Sequence, residues 1–413
     1  MTEVRDALII DGVRTPRGKG RATGALHHLH PQDLLGQCLT ALVERNGFDP
    51  SEVDDVIMGN GNSVGDHNAD IARLAVLDCG WPVDAPGLTI NRFCGSGQQA
   101  VSLAAMGIRA GFQELVVAGG VESMSRWPAD QTPLLIDGDN PHLRERYPMV
   151  PQGISADAIA ALEGFSRIDC DELAVTSQER AAKAITEGRF DRSVISVRNP
   201  DGTVALDREE HPRPGTTLEA LAGLVPSFQT MGTEVLPGMD RSFDTMIAEV
   251  YPSIGAHLEH VHHPGNSSGV VDGASAMVLA SHQYARVHGL TPRARIVMGA
   301  TAGAEPVIML TAPAPAARRC LELAGMTIGD IDLWEINEAF ASVVLKATRD
   351  LELDPARVNV NGGAMALGHP IGATGAMLIE TALDELERTD QTTALVAMCT
   401  GGGMGTATII ERV

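Results

Sequence analysis

The chain has 413 residues, 44% of them hydrophobic and 20% charged, with 44 glycines and a formal charge of −22 at pH 7. That length exceeds one ordinary core, so two or three domains are expected, and the glycine-rich apolar composition is that of a folded α/β protein. The acidic excess argues against nucleic acid or an anionic membrane as a general partner, and no apolar run approaches the ~20 residues of a membrane span.

The first residues become strand-like at once, with no charged-then-apolar export signal, and residues 5–13 are predicted as the first strand. Arg14-Thr-Pro-Arg-Gly-Lys-Gly-Arg21 follows and reads as a solvated basic turn, with phosphate binding as the other reading. Helical periodicity runs from Asp33 to Glu44, Val53–Gly59 is the next strand, and Ile71–Leu77 is another helix. Leu88–Ile90 then meets the turn Asn91-Arg-Phe-Cys-Gly-Ser-Gly97 and a helical pattern up to Ile108. Leu115–Ala118 is a further strand. Strands alternating with helices imply a parallel sheet covered on both faces.

Cys94 sits where a helix would begin. Unpaired N–H groups and the positive end of the helix dipole stabilise a thiolate there, so the thiol pKa is expected to fall towards neutrality. Gly95 and Gly97 leave the sulfur uncrowded. Two other readings stand beside the nucleophile: a small buried hydrophobe, and a G-x-G-x-x-A dinucleotide fingerprint in Gly95–Ala100. The fingerprint is out of place, because the next strand carries its only acid at the leading end.

From about Glu122 the texture changes. Residues 123–153 and 197–256 are irregular, with helix between them at Ser155–Leu162 and from Asp171 to Glu187, so 122–257 reads as an inserted loop domain. His257, His260, His262 and His263 crowd its end; without a second ligand cluster they read as partner-satisfied or exposed histidines, and no metal is expected. The second half echoes the first: Val53–Asn60 in Ile331–Asn337, Thr89–Gly95 in Val358–Gly363, and Leu115–Gly120 in Ala394–Met398. Two such halves would face loops from equivalent strand ends into one cleft.

Four later stretches carry chemistry: Asn266-Ser-Ser-Gly-Val-Val-Asp-Gly273, Asn337-Glu-Ala-Phe340, the glycine-rich run Asn361–Gly375 holding His369, and Cys399-Thr-Gly-Gly-Gly-Met-Gly405. With Cys94 they supply a nucleophile, a base, an amide and a second thiol, the parts of an acyl-transfer site. In these motifs, in their order, the sequence resembles the thiolase family over essentially its whole length.

That resemblance implies a duplicated five-layered α-β-α-β-α fold: an N-terminal half at 1–121, a CoA-binding loop domain at 122–257, a return at 258–280 and a C-terminal half at 281–413. It implies that Cys94 attacks the 3-keto carbonyl of a 3-ketoacyl-CoA. His369 would take the thiol proton and later help activate CoA, and Cys399 would protonate the departing acetyl-CoA enolate. Asn337 would hold a water that forms one oxyanion hole with His369, and the N–H groups of Cys94 and Gly401 would form the other. Arg213 and Ser268 match the family's CoA-contacting residues. Coenzyme A and acetyl-CoA enter as substrates rather than permanent cofactors, and a homodimer or homotetramer is implied, with a hydratase/dehydrogenase subunit as a further possible partner.

Departures bear on the acyl group. Pro151-Gln-Gly-Ile-Ser-Ala-Asp157 stands where short-chain biosynthetic thiolases carry a Met-Gly element, Pro237–His257 is longer than usual, and Phe93 and Gln98 occupy positions that would line an acyl pocket. The expected activity is thiolysis in fatty acid β-oxidation or related acyl-CoA degradation, with an acetoacetyl-CoA-forming acetyltransferase as the alternative and a non-catalytic acyl-CoA- or lipid-binding subunit as the remote one. Six cysteines without a C-x-x-C pair, and a last stretch Glu411-Arg-Val413 that is no peroxisomal address, give the expectation of a reduced, cytoplasmic protein.

Overall fold

The computed structural model describes residues 5–132 and 134–413. The first four residues of the expected N-terminal half, and Pro133 of the expected insertion, lie outside the described residues. Nine strands carry the fold: β1 (Ala7–Arg14), β2 (Asp55–Gly59), β3 (Leu88–Ile90), β4 (Leu115–Ser123), β5 (Val271–Ser281), β6 (Ala294–Gly303), β7 (Leu333–Ile336), β8 (Thr393–Thr400) and β9 (Met404–Arg412). They lie in the order β7-β8-β9-β6-β1-β5-β4-β2-β3, with the short strand Gly18–Lys19 paired to β5.

The order reads as one arrangement used twice. Strand β2 pairs in parallel with β3 and β4, and β4 is antiparallel to β5, which is antiparallel to β1. In the second half β7 is parallel to β8, β8 antiparallel to β9, and β9 antiparallel to β6; a parallel bridge from Trp334 to Val358 stands where β3 stands in the first. The three echoed segments therefore occupy equivalent places. Antiparallel pairing of β1 with β6 joins the halves.

Helices α1 (Pro31–Asn46) and α2 (Ile71–Asp78) cover one outer face through Leu34, Leu35, Leu39, Ile71 and Val76. Between the two half-sheets run α3 (Ser96–Ala110) and, counted below as α9, Ile371–Thr389. Burial on both sides explains why these two are rich in Ala and Gly on faces where ordinary surface helices are charged.

The insertion contains α4 (Gln152–Glu163), α5 (Arg167–Thr186) and α6 (Phe243–Val250), and the second outer face is α7 (Pro313–Ala324) and α8 (Ala341–Asp350). Helix α5 begins four residues before the expected Asp171, because Ser166 and Asp169 form a reciprocal capping box. Helix α6 lies in a stretch read as irregular; Ser242 caps it, and Phe243, Met246 and Ile247 make a buried stripe.

The Arg14–Arg21 stretch departs from its reading as a solvated turn. Arg14 and Arg17 are buried, and both guanidinium groups reach the Glu209 carboxylate of the insertion, at 2.6 and 2.9 Å. Arg14 also lies over the Phe190 ring. Burial lowers the Arg17 pKa to about 10, against the opposing pull of Glu209. A buried, paired cation of this kind is a fastening between the first strand and the insertion.

Candidate active site

The duplication brings α3 and α9 together at their N-termini. A Cβ on Gly97 would lie 2.7 Å from the Gly372 carbonyl oxygen, and one on Gly375 would collide with the Gln98 backbone, so glycine is needed for the crossing. Cys94 stands two residues before α3, and His369 two residues before α9. The equivalent starts of two equivalent helices thus hold the thiol and the imidazole.

The hairpin between β8 and β9 supplies the second thiol. Cys399 pairs with Gly405, and Gly402 and Gly403 turn the chain at φ 77° and 75°, a region that favours glycine. A Cβ on Gly95 would press on Thr400 and Thr406, so this hairpin packs directly against the Cys94 turn. The backbone N–H groups of Cys94 and Gly401 both act to lower the Cys94 thiol pKa, and the Cys94 charge in turn raises that of Cys399.

The expectation of an acidified Cys94 is not met. Its thiol is pushed up to about 12, chiefly by burial; the two backbone N–H groups pull against this, and the Glu122 charge adds to it. Only 2% of the residue is exposed, and a helix terminus is worth at most about 2 kcal/mol, too little to offset desolvation of a thiolate. Cys399 is likewise raised, by burial and then by Cys94. At rest both sulfurs carry their protons.

His369 is held neutral by burial, its pKa lowered to about 3, with the Arg17 charge acting in the same direction. Its Nδ1 lies 2.6 Å from Thr374 Oγ1. The single hydroxyl proton of Thr374 is donated back to the Pro370 carbonyl at 2.9 Å, so toward the ring Thr374 accepts. Nδ1 therefore carries the hydrogen, and Nε2 keeps its lone pair. Asn337 Nδ2 donates to that Nε2 at 3.4 Å, while Asn337 Oδ1 is buried without a partner. Asn337 owes its place to β7: its N–H continues the ladder to the Ala397 carbonyl.

Residues 7–238 match the model of the thiolase N-terminal domain, and residues 290–412 that of the thiolase C-terminal domain. The chain belongs to the thiolase family. It is 42% identical to the 3-oxoadipyl-CoA/3-oxo-5,6-dehydrosuberyl-CoA thiolase of Escherichia coli, over 99% of this chain and 100% of that protein. It is 40% identical to the steroid 3-ketoacyl-CoA thiolase of Mycobacterium tuberculosis, over 98% and 94%. Its structure is similar to that of the Bacillus anthracis acetyl-CoA acetyltransferase, with a TM-score of 0.84, 35% identity and full coverage of both chains. As a thiolase it is an acyltransferase that cleaves 3-ketoacyl-CoA with coenzyme A.

In this thiolase Cys94 meets Cys399 and Gly401 of the β8–β9 hairpin, and Asn337 at the end of β7 meets His369, the two groups standing at the starts of the crossing helices α3 and α9. Ser268 and Arg213 lie further out. Ser268 donates its N–H to the Ala339 carbonyl, and the neighbouring Gly269 carbonyl accepts from the His369 N–H. Arg213 is exposed, with its backbone N–H on Gln178 Oε1, and the His211 ring two residues earlier rests against Gly269. The two expected CoA contacts thus flank a single seam.

Gln98 does not line a pocket as anticipated. Its amide donates to the Val396 carbonyl and Thr408 and accepts from Thr406, stitching α3 to the second half-sheet. The four crowded histidines are mostly bound to acids: His260 to Asp157 and Asp244, His262 to Asp157, and His263 to Asp171.

Sequence reading missed Thr374 and Glu122. Glu122 accepts from Gly61 N, Gly372 N, Asn60 Nδ2 and Trp127 Nε1, and so pins the turn carrying His369 to the end of β4. Burial raises it to about 7 against these donors. A hydroxyl five residues after a candidate histidine was the available signal for Thr374.

Proposed function

We propose that the chain works as a degradative thiolase through a covalent Cys94 acyl-enzyme. His369 Nε2 takes the Cys94 proton as the sulfur adds to C3 of the 3-ketoacyl-CoA. The C2–C3 bond breaks, its electron pair leaves on the acetyl-CoA enolate, and Cys399 supplies the proton. The imidazolium returns a proton to the Cys399 thiolate, and neutral His369 then deprotonates the incoming CoA. That thiolate attacks the thioester, and Cys94 leaves and recovers its proton from His369. Tetrahedral oxyanions at Cys94 are held by the Cys94 and Gly401 N–H groups, and the enolate oxygen by His369 and a water on Asn337. Each such donor is typically worth about 3–4 kcal/mol.

What supports this reading is a pair of neighbouring buried thiols beside the start of one helix and, at the start of the helix that crosses it, an imidazole whose Nε2 is left unprotonated by the Thr374 hydrogen bond. Carbon–carbon cleavage needs a nucleophile and a separate acid, and a single thiol cannot be both at once. Arg213 and Ser268 serve CoA, which visits as substrate with no permanent cofactor. The chain acts in the cytoplasm as a homodimer or homotetramer, and a hydratase/dehydrogenase subunit is a fitting companion because such a pair makes the 3-keto group. The relatives named above act on 3-oxoadipyl and steroid 3-ketoacyl thioesters, which favours acyl-CoA degradation over acetoacetyl-CoA formation.

The test is intact-mass and peptide mapping of enzyme quenched during turnover of a 3-ketoacyl-CoA. An acyl adduct on Cys94 that disappears on adding CoA is the expected result. Turnover with no adduct, or with the adduct on another cysteine, would overturn the reading.

A further inference from the structure

Glu338 follows Asn337 directly, and its buried carboxylate reaches the run that leads to His369. Its Oε2 accepts from Ser177 Oγ at 2.6 Å and from the Met365 N–H at 3.1 Å, and its Oε1 accepts from Asn359 Nδ2 at 3.1 Å. Ser177 belongs to α5 of the insertion, and its hydroxyl accepts in turn from the Gly363 N–H at 3.1 Å. The Asn359 amide also donates to the Ile336 carbonyl and accepts from the Ile336 N–H, both at 2.8 Å. Asn359 turns the chain at φ 48°, a left-handed conformation that asparagine tolerates. A Cβ on Gly363 would lie 2.3 Å from Glu338 Cδ, so only glycine lets the run close on the carboxylate.

Four segments therefore meet at one side chain: the end of β7, the turn at Asn359, the short helix Ala364–Leu367 and α5. Each partner gives a hydrogen and none takes one, so the anion is the form that fits. Burial raises the Glu338 carboxyl, and the three hydrogen bonds and the Arg180 charge oppose it. Removing any one partner would leave buried polar atoms unpaired, which makes the cluster rigid. His369 has anchors of its own in Thr374, the Gly269 carbonyl and Glu122 at Gly372 N. The Asn337 N–H is fixed by the β7 ladder, while the direction of its next peptide depends on where the Glu338 carboxylate is held.

We propose that Glu338 and Ser177 are positioning residues for the enolate, fixing the Asn337 amide against the His369 ring where the oxyanion water is to sit. This rests on the thiolase reading and extends it to two residues that act through Asn337.

The test compares two rates in the full chain. One is CoA-dependent cleavage of whichever of acetoacetyl-CoA, 3-ketodecanoyl-CoA and 3-oxoadipyl-CoA the unaltered enzyme cleaves fastest, a reaction that passes through the enolate. The other is exchange of labelled CoA into the acyl-CoA two carbons shorter, which needs only the Cys94 thioester and the base. Ser177→Ala and Glu338→Gln should lower kcat for cleavage about 10–100-fold, the scale of a misplaced reacting group, and exchange by less than about threefold. KM for CoA should hold within about threefold, because α5 meets the Arg213 N–H through Gln178 and not through Ser177. Ser177→Thr should recover cleavage, since it restores the hydroxyl and Ser177 lines a cavity of about 630 Å³ with room for a methyl group. Undiminished cleavage in Ser177→Ala, equal loss of cleavage and exchange, or a loss that Ser177→Thr does not repair would each overturn the inference. Should Glu338→Gln fail to fold, the two Ser177 variants decide the matter alone. An unaltered enzyme with neither cleavage nor exchange would instead sink the thiolase reading, and the inference with it.

Discussion

Replacing Thr374 by valine isolates the link between α9 and the base. The side chain keeps its volume, but His369 Nδ1–H loses its acceptor at 2.6 Å inside a site where the ring is 5% exposed. A buried donor left without a partner costs about 1–3 kcal/mol, and the ring escapes that cost by moving its hydrogen to Nε2. The escape abolishes the base, because Nε2 then meets the Asn337 amide as a donor and has no lone pair left for a thiol proton. A tautomer penalty of that size corresponds to roughly a 10–100-fold fall in kcat. KM for CoA should hold within about twofold, since Thr374 is placed against the ring and not against substrate. Steady-state thiolysis gives both constants, and the rate of Cys94 alkylation by iodoacetamide reports deprotonation without CoA. Both rates should fall together in Thr374→Val and recover in Thr374→Ser, which restores the hydroxyl. A valine variant with undiminished kcat and alkylation rate would show that the tautomer is fixed by something else.

Cys399→Ala should slow carbon–carbon cleavage by about 10²–10⁴-fold while exchange of label between acetyl-CoA and free CoA persists, because exchange needs only Cys94 and His369; equal loss of both would remove the division of labour. His260 gives a pH signature: burial lowers its pKa, but hydrogen bonds to Asp157 and Asp244 prevail and raise it to about 9. Its folded value exceeds the unfolded one near 6.5, so its stabilisation is complete below about pH 6.5 and lost as pH rises through 9, a change of about 2–3 kcal/mol. Denaturant midpoints between pH 6 and 10 should therefore slope less in His260→Gln, and parallel slopes would refute the pairing. Gly375→Ala drives a methyl into the Gln98 backbone at the α3–α9 crossing and should cost about 3 kcal/mol or more in urea unfolding. An unchanged midpoint would mean that the crossing is looser than described.

Much of this site was legible because Cys94 and His369 stand among glycines just before helix starts, and Asn337 and Cys399 at the ends of apolar strands, where the chain has to turn. Cys94, Asn337, His369 and Cys399 each follow an apolar run, and the echo of Val53–Asn60 in Ile331–Asn337 already implied two equivalent halves. What escaped depends on packing between distant segments. The rise of the Cys94 pKa follows from burial beneath the hairpin of the other half, and no local pattern records that. Gln98 was placed at the acyl pocket from its position just after the Gly pair that follows Cys94; its partners, Val396, Thr406 and Thr408, lie some 300 positions away. Arg14 and Arg17 read as solvated for the same reason, with Glu209 nearly two hundred residues distant. Helix α6 was hidden by the prolines around it, although Ser242 and the spacing of Phe243, Met246 and Ile247 were sufficient to find it.

Duplication explains why two thiols and one imidazole meet at all. Each half offers one helix start and the end of one central strand, β4 or β8, to the shared cleft, four positions equivalent in pairs, and the second half adds Asn337 at the end of β7. The helix starts diverged into Cys94 and His369. The strand ends diverged further: β8 ends on Cys399, a proton donor, and β4 ends on Glu122, which accepts from Gly61 N and Gly372 N and moves no proton to substrate. Had β4 kept a second thiol, nothing would hold the turn that carries His369; had β8 carried a carboxylate, its charge would stand beside Cys94 and oppose formation of the thiolate. Glu122 already raises the Cys94 pKa from its more distant place. The asymmetry between the halves is therefore a consequence of electrostatics at a symmetric crossing: the anchor is an anion where it can be saturated by four donors, and the acid is neutral where a charge would disable the nucleophile.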